Sequence, residues 1–170
     1  MERLFLIVGF VLVLFFSRLV PHPPNFTPII AAAIFGPIFF KEKTLGLAIP
    51  ILAMFISDLV LGFHIYQFVI YVTLISISLL IPKNVKLLPI VSYGVLSSLW
   101  FFFTTNFAVW IAWDYYPKNL EGFLLCFTLA IPFFTNTLIS TISFVILFHY
   151  INKFYQHSAL KLYLNNENKN

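Results

Sequence analysis

The sequence is poor in charge and in cysteine, and it has no common catalytic motif. Only 9% of its 170 residues are charged, too few to cover a soluble domain of this size. A single cysteine, Cys126, excludes an intramolecular disulfide and a multi-cysteine metal site. A phosphate-binding glycine loop, a His-Glu-x-x-His zinc motif and a Gly-x-Ser-x-Gly elbow are all missing. The sequence therefore predicts neither an enzyme nor a bound cofactor.

What the sequence has in abundance is hydrophobic residues, which make up 61% of the chain. Six apolar stretches approach or exceed the roughly 20 residues that a membrane-spanning helix needs. They are apolar all round and lack the alternation of barrel strands. They cover residues 4–20, 26–40, 44–61, 65–81, 87–113 and 120–150. The pattern predicts an all-α bundle of six transmembrane helices within residues 1–152, with a bend near Pro132, followed by a partly disordered polar tail at 153–170.

Lysine and arginine fall almost entirely on alternate sides of these predicted helices. Eight lie on the side of the termini: Arg3, Lys41, Lys43, Lys83, Lys86, Lys153, Lys161 and Lys169. Only Arg18 and Lys118 lie on the other side. Because basic residues accumulate in cytoplasmic connectors, both termini are predicted to be cytoplasmic in a multi-pass protein of a bacterial inner membrane. The scattered lysines form no aromatic and basic groove, so no nucleic-acid partner is expected.

Polar residues within the apolar stretches converge on the predicted outer half of the bundle. Arg18 and Asp58 lie near the outer ends of helices one and three, where pairing would offset the cost of burying each charge. Asn25 and Thr27 lie at the start of helix two, and Asn106 lies about 10 Å below the outer end of helix five. Two alternatives remain open for Arg18: a purely structural clamp with Asp58, or a side chain that reaches the outer headgroups.

Three further groups in this region are candidates for a binding site. Trp110 shares one helical face with Asn106 and could form an aromatic wall, although membrane interfaces also attract tryptophan. Asn136 lies near the middle of helix six. His22 and His64, both in outer connectors, could hold a metal together with a carboxylate, or they are ordinary loop histidines.

Four segments carry a resemblance that covers nearly the whole chain. They are residues 18–28 (RLVPHPPNFTP), 57–64 (SDLVLGFH), 105–110 (TNFAVW) and 130–138 (AIPFFTNTL). The sequence resembles an uncharacterised family of small bacterial integral-membrane proteins. That family is in turn distantly similar to the substrate-binding S components of energy-coupling-factor vitamin transporters, through Asn-Phe-Thr-Pro, Ser-Asp-x-x-x-Gly and the six-helix plan.

The second resemblance implies cytoplasmic termini, an outward-facing pocket for a micronutrient, and docking on a transmembrane coupling subunit driven by two cytoplasmic ATPases. The sequence departs from that pattern at two places. Helix one is rich in Leu and Phe where S components use small residues for docking, so Ala32-x-x-x-Gly36 is a possible replacement contact. Ser140 and Thr141 stand where Gly-Asp is expected.

The sequence thus predicts a membrane protein that binds a small-molecule solute, as the specificity subunit of a transporter. Arg18 and Asp58 would orient the pocket, and Trp110 would stack on the solute. The remaining predicted contacts are Asn25, Thr27, Asn106 and Asn136. The alternative is a non-transporting structural or assembly subunit, in which the same polar residues lock helices together.

Overall fold

The structure, a computed structural model, describes residues 2–82 and 85–167, with side chains from residue 4 to residue 157. These residues form six α-helices and no strand, which confirms the all-α class. The helices are α1 (Glu2–Leu19), α2 (Ile29–Phe40), α3 (Lys43–Leu61), α4 (Gln67–Leu80), α5 (Leu87–Ala112) and α6 (Leu120–Glu167).

The first five helices begin and end close to their predicted bounds, but α6 does not. It passes through Pro132 without interruption and continues beyond Tyr150 to Glu167. Residues 153–167, assigned to a polar tail from the sequence, therefore extend the last helix. Two of the lysines that predict the sidedness, Lys83 and Lys169, lie outside the described residues, as does the end of the tail.

The outer surface of the bundle is apolar. Phe5, Phe68, Leu80 and Leu88 each expose three quarters or more of their area, and many other large apolar side chains are also exposed. Three helices are long and apolar enough to cross a membrane: Lys43–Leu61, Leu87–Ala112 and Leu120–His157. Shorter apolar helices cover Leu4–Leu19, Ile29–Phe40 and Gln67–Leu80. Such a surface is suited to lipid rather than to water.

Helix α2 is the centre of the bundle. Ten of its twelve residues are buried, because α3, α4, α5 and α6 all pack against it. A helix that is apolar on every side can be buried in this way without leaving a polar group unpaired. Helix α1 lies at the edge of the bundle and packs mainly against α3.

Two glycines bring α2 and α3 into backbone contact. A Cβ atom added to Gly36 would lie 2.2 Å from the carbonyl oxygen of Gly46, and one added to Gly46 would lie 2.2 Å from the backbone nitrogen of Pro37. Ala32 is fully buried beside this contact. The small-residue face Ala32-x-x-x-Gly36 therefore gives a close helix contact inside the chain.

The connectors divide the bundle into two ends. The Arg18 end holds the connectors at residues 20–28, 62–66 and 113–119, and the Lys41 end holds residues 41–42, 81–82 and 85–86. An ion pair links the last turns of α1 and α3 at the Arg18 end, and a ring contact between Tyr66 and Trp113 links the other two connectors there.

Candidate functional site at the Arg18 end

Arg18 and Asp58 form an ion pair between α1 and α3, as the sequence predicts. Nη1 of Arg18 lies 2.5 Å from Oδ1 of Asp58, and the two side chains are 15% and 1% exposed. The same nitrogen also donates to the hydroxyl of Ser57 and to the carbonyl of Met54, the latter at 3.1 Å. Arg18 therefore points into the bundle rather than toward the lipid headgroups. Its positive charge balances the negative charge of Asp58.

Tyr71 completes this cluster from α4. Its hydroxyl donates to Oδ2 of Asp58 at 2.7 Å, so both carboxylate oxygens have partners. One turn earlier, Gln67 accepts a hydrogen bond from the backbone N–H of His64 at 3.1 Å, while its buried Nε2 has no partner among the described residues. Tyr71 and Gln67 are not among the residues that the sequence predicts for this site. Their spacing of four places them on one face of α4, at the depth of Asp58.

A cavity of about 250 Å³ opens beside the ion pair. Its basic and titratable wall residues are Arg18, His22 and His64, and no acidic residue is among its described wall residues. Its other walls combine polar and apolar side chains: Asn25, Thr27, Ile29, Ile30, Met54, Leu61, Ile70, Phe101 and Thr137. The structure thus brings Arg18, Asn25 and Thr27 to one site. Asp58 does not line the cavity and is instead paired with Arg18.

A second cavity of about 180 Å³ adjoins the first and extends between α5 and α6. The two share Asn25, Ile70, Phe101 and Thr137 as wall residues. Asn106 lines the second cavity, and its Nδ2 donates to the carbonyl of Phe102 at 2.7 Å. The side-chain oxygen of Asn106 therefore remains as an acceptor.

Asn25 stands at the junction of the two cavities in an unusual backbone conformation. Its φ of 63° is left-handed, a region that asparagine tolerates better than most residues. Backbone hydrogen bonds around it, from the N–H of Phe26 to Pro23 at 2.9 Å and from the N–H of Thr27 to Asn25 at 3.0 Å, hold this turn. The Asn25 side chain makes no hydrogen bond with the described residues, so its amide is available at both cavities.

Comparison with known proteins places the chain in a family. The sequence profile of a family of unknown function, DUF6580, matches residues 1–162. The chain belongs to this family. No curated protein and no solved structure matches the chain, so the likeness to S components has no support beyond the sequence segments that suggested it.

Two residues predicted to touch a ligand have structural partners in this DUF6580 member. Nε1 of Trp110 donates to the carbonyl of Pro117 at 3.0 Å, and its ring packs edge-on against Phe123 at 5.4 Å. Nδ2 of Asn136 donates to the carbonyl of Pro24 at 3.0 Å and so fixes the proline-rich connector to α6. Neither side chain lines either of these two cavities.

The histidines do not assemble the metal site considered from the sequence. His22 and His64 line the same cavity, and Nδ1 of His22 lies 2.8 Å from the carbonyl oxygen of Pro23. Asp58, the carboxylate considered with them, has both oxygens engaged by Arg18 and Tyr71. Within residues 2–82 and 85–167, no group of three or more His, Cys, Asp or Glu side chains is arranged to hold a metal.

The connector at the start of α4 adds a neutral donor to the second cavity. Tyr66 lines it and packs against Trp113, with ring centroids 4.0 Å apart. Burial raises the pKa of the Tyr66 phenol above its usual 10.0, and Tyr115 raises it further. The Tyr66 phenol therefore keeps its proton to a higher pH than an unperturbed tyrosine does.

Proposed function

We propose that this protein is a multi-pass cell-membrane protein that binds a small polar solute in the paired cavities at the Arg18 end, as the specificity subunit of a micronutrient transporter. The observation that carries the proposal is the Asn25 amide. It has no hydrogen-bond partner among the described residues, it lines both cavities, and a left-handed turn holds it there. Strained backbone at a polar cavity is a recurrent feature of binding sites.

In this proposal the six helices each cross the membrane, and the cavities face outward. Lys41, Lys43, Lys86 and Lys153 lie toward the Lys41 end, whereas Arg18 and Lys118 lie toward the other. The positive-inside rule then assigns the Lys41 end and both termini to the cytoplasm of a bacterial inner membrane. Helices α2 and α4 span only about 18–21 Å, so their longer neighbours must shield them from lipid.

The chemistry of the cavity walls favours a small solute that accepts hydrogen bonds. Each cavity is smaller than the roughly 300–1,000 Å³ typical of sites for drug-sized ligands. The hydrogen bonds of Arg18 all come from Nη1, so its remaining N–H groups have no partner among the described residues. A carboxylate or carbonyl of the solute would be a suitable acceptor for them.

A structural or assembly role is the second candidate, and a specific observation favours it. Both oxygens of Asp58 are engaged within the chain, and Asn136 holds the proline-rich connector. A role in stabilising the bundle is sufficient to explain polar residues that join helices in this way. Under this reading the cavities bind no solute.

A binding experiment separates the two candidates. The purified protein in detergent is heated with a panel of vitamins and nucleobases, and ligand-dependent stabilisation is measured. A ligand at one hundred times its Kd stabilises the folded state by about 2.7 kcal/mol. We expect at least one compound to raise the melting temperature of the protein, whereas a wholly inert panel would favour the structural role.

The Asn25→Gly variant tests the site itself. Glycine accepts a φ of 63° without strain, so this substitution removes the amide while keeping the turn. We expect the variant to fold and to lose the ligand response. Ser92→Ala is the control and should keep the ligand response, because it removes an exposed hydroxyl near the start of α5 that lines neither cavity. Full ligand response in Asn25→Gly would overturn the proposed site.

Transport requires partners that this chain does not provide. The sequence has no ATPase motif, so uptake driven by ATP would need a transmembrane coupling subunit and cytoplasmic ATPases. Co-purification of such subunits from native membranes, identified by mass spectrometry, would support the transporter role. Solute binding without any co-purifying ATPase would limit the protein to binding alone.

A further inference from the structure

A cavity of a different kind lies at the Lys41 end. It has a volume of about 540 Å³, and the C-terminal end of α2, the start of α5 and the late turns of α6 contribute its walls. Three lysines and one histidine line it, together with two amides and three apolar residues. In chain order the lining residues are Ile38, Lys41, Val85, Lys86, Leu87, His149, Asn152, Lys153 and Gln156.

The lysines of this cavity differ from the other lysines with described side chains. Lys43 donates to the carbonyl of Leu79 at 2.9 Å, and Lys118 donates to the carbonyls of Trp110 and Trp113. Those two ammonium groups are thus occupied by the chain itself. By contrast, Lys41, Lys86 and Lys153 have neither a hydrogen bond nor an ion pair with any side chain or carbonyl of the described residues.

Three cations from three separate elements therefore surround one cavity, and none of its described lining residues carries a carboxylate. Glu42 follows Lys41 in sequence, but its side chain is not part of the cavity wall. Like charges that share a site repel one another, and this repulsion is removed when an anion binds between them. The backbone also positions one of these lysines. Lys41 is the C-cap of α2, and its left-handed φ of 53° fixes the position of its Cβ atom.

The apolar residues of the wall indicate that the bound anion also has a hydrocarbon part. Ile38, Val85 and Leu87 line the same cavity as the lysines, and Leu88, at the start of the apolar helix α5, is 79% exposed on the neighbouring surface. A wall that pairs ammonium groups with hydrocarbon is complementary to an amphiphile. Basic pockets between membrane helices are a recognised way to hold the phosphates of anionic lipids.

We propose that Lys41, Lys86 and Lys153 bind the phosphate-bearing headgroup of an anionic lipid in this cavity. Asn152 and Gln156 add hydrogen-bond donors for the headgroup oxygens. The inference stands apart from the proposed solute site, because the two sites lie at opposite ends of the bundle and share no residue.

The test uses the full chain in a neutral detergent, titrated with phosphatidylglycerol, with phosphatidylcholine and with inorganic phosphate. We expect phosphatidylglycerol to raise the melting temperature and the other two to have little effect. The double variant Lys86→Gln/Lys153→Gln should bind phosphatidylglycerol about tenfold more weakly or worse, since each basic residue near an anionic lipid contributes measurably to binding. Lys43→Gln is the matched control at the same end and should bind as the natural protein does.

Two controls show whether the Gln variant binds weakly because it has lost charge or because it has lost its fold. Lys86→Arg/Lys153→Arg should retain the response to phosphatidylglycerol, and the Gln variant should melt at or above the natural temperature when no lipid is added, because it removes repulsion between like charges. An equal response to phosphatidylcholine, or an unchanged affinity in the Gln variant, would overturn the proposal. A full response to inorganic phosphate alone would overturn the assignment to lipid.

Discussion

The two ends of the bundle use their cations in opposite ways. At the Arg18 end, Arg18 pairs with Asp58 and Lys118 donates to backbone carbonyls, and the adjoining cavities are small. At the Lys41 end three lysines have no partner among the described residues, and they surround a cavity about twice as large. Arg18 and Lys118 thus serve internal contacts at one end, whereas Lys41, Lys86 and Lys153 have no internal partner among the described residues at the other.

The ends also differ in what joins their helices. Side-chain hydrogen bonds from α1 and α4 meet on Asp58 of α3 at the Arg18 end. Toward the Lys41 end, α2 and α3 touch through the backbones of Gly36 and Gly46. A directed polar cluster tolerates the loss of a partner poorly because the remaining groups stay buried, whereas a close backbone contact tolerates no added volume.

The largest effect is expected when the polar cluster loses its cation. Arg18→Met would leave Asp58, 1% exposed, with its charge buried beside Tyr71 alone. Removing one partner of a buried ion pair costs about 3–5 kcal/mol. The measurement is the free energy of unfolding in mixed micelles, from a denaturing-detergent titration.

The double variant Arg18→Met/Asp58→Leu is the control for that prediction. It removes both charges, so much of the lost stability should return. A single variant as stable as the natural protein would mean that the ion pair contributes nothing to the Arg18 end, and the contrast between the two ends would fail.

A smaller loss is expected when the glycine contact is enlarged. Gly46→Ala places a Cβ atom 2.2 Å from the backbone nitrogen of Pro37, so α2 and α3 must separate. Overpacking of this kind typically costs about 1–3 kcal/mol. Gly9→Ala is the matched control, because its Cβ would meet nothing within 4 Å and alanine favours the helix. Equal unfolding free energies for the two variants would contradict the close contact.

A hydrogen bond between central helices gives the next effect in size. The hydroxyl of Ser78, 1% exposed, donates to the carbonyl of Ala33 at 2.8 Å and so joins α4 to α2. Ser78→Ala should cost about 1 kcal/mol. Ser92→Ala, which removes an exposed 3.3 Å bond within α5, should change the unfolding free energy by less than half as much.

Much of the fold could be predicted from the sequence because apolar length and charge placement determine it directly. Arg18 and Asp58 were paired correctly, since two charges at one depth in apolar helices must meet or reach water. Apolarity alone could not reveal the role of α2, because a helix that faces lipid and one buried in protein have the same composition. Only the packing of its neighbours shows that it is the centre.

The candidate site was less predictable, because sharing a helical face does not mean sharing a cavity. Asn106 and Trp110 lie one turn apart on α5, yet only Asn106 lines a cavity, while Trp110 is held by Pro117. Asn136 looked like a ligand contact, and its partner, the carbonyl of Pro24, lies in a distant connector that periodicity does not reveal. The role of Tyr71 could not be predicted, because its partner Asp58 lies on another helix and the periodicity of one helix does not show which side chains meet between helices.

The smallest effect tests whether every buried polar group in the bundle is useful. Thr141, fully buried on α6 against Gly94 of α5, has a hydroxyl without a partner among the described residues. Thr141→Val keeps the shape and removes that unpaired group, so the unfolding free energy should stay the same or rise by a few tenths of a kcal/mol. A loss above about 1 kcal/mol would show that the Thr141 hydroxyl has a partner in the membrane. The contact between α5 and α6 would then depend on hydrogen bonds as the Arg18 end does.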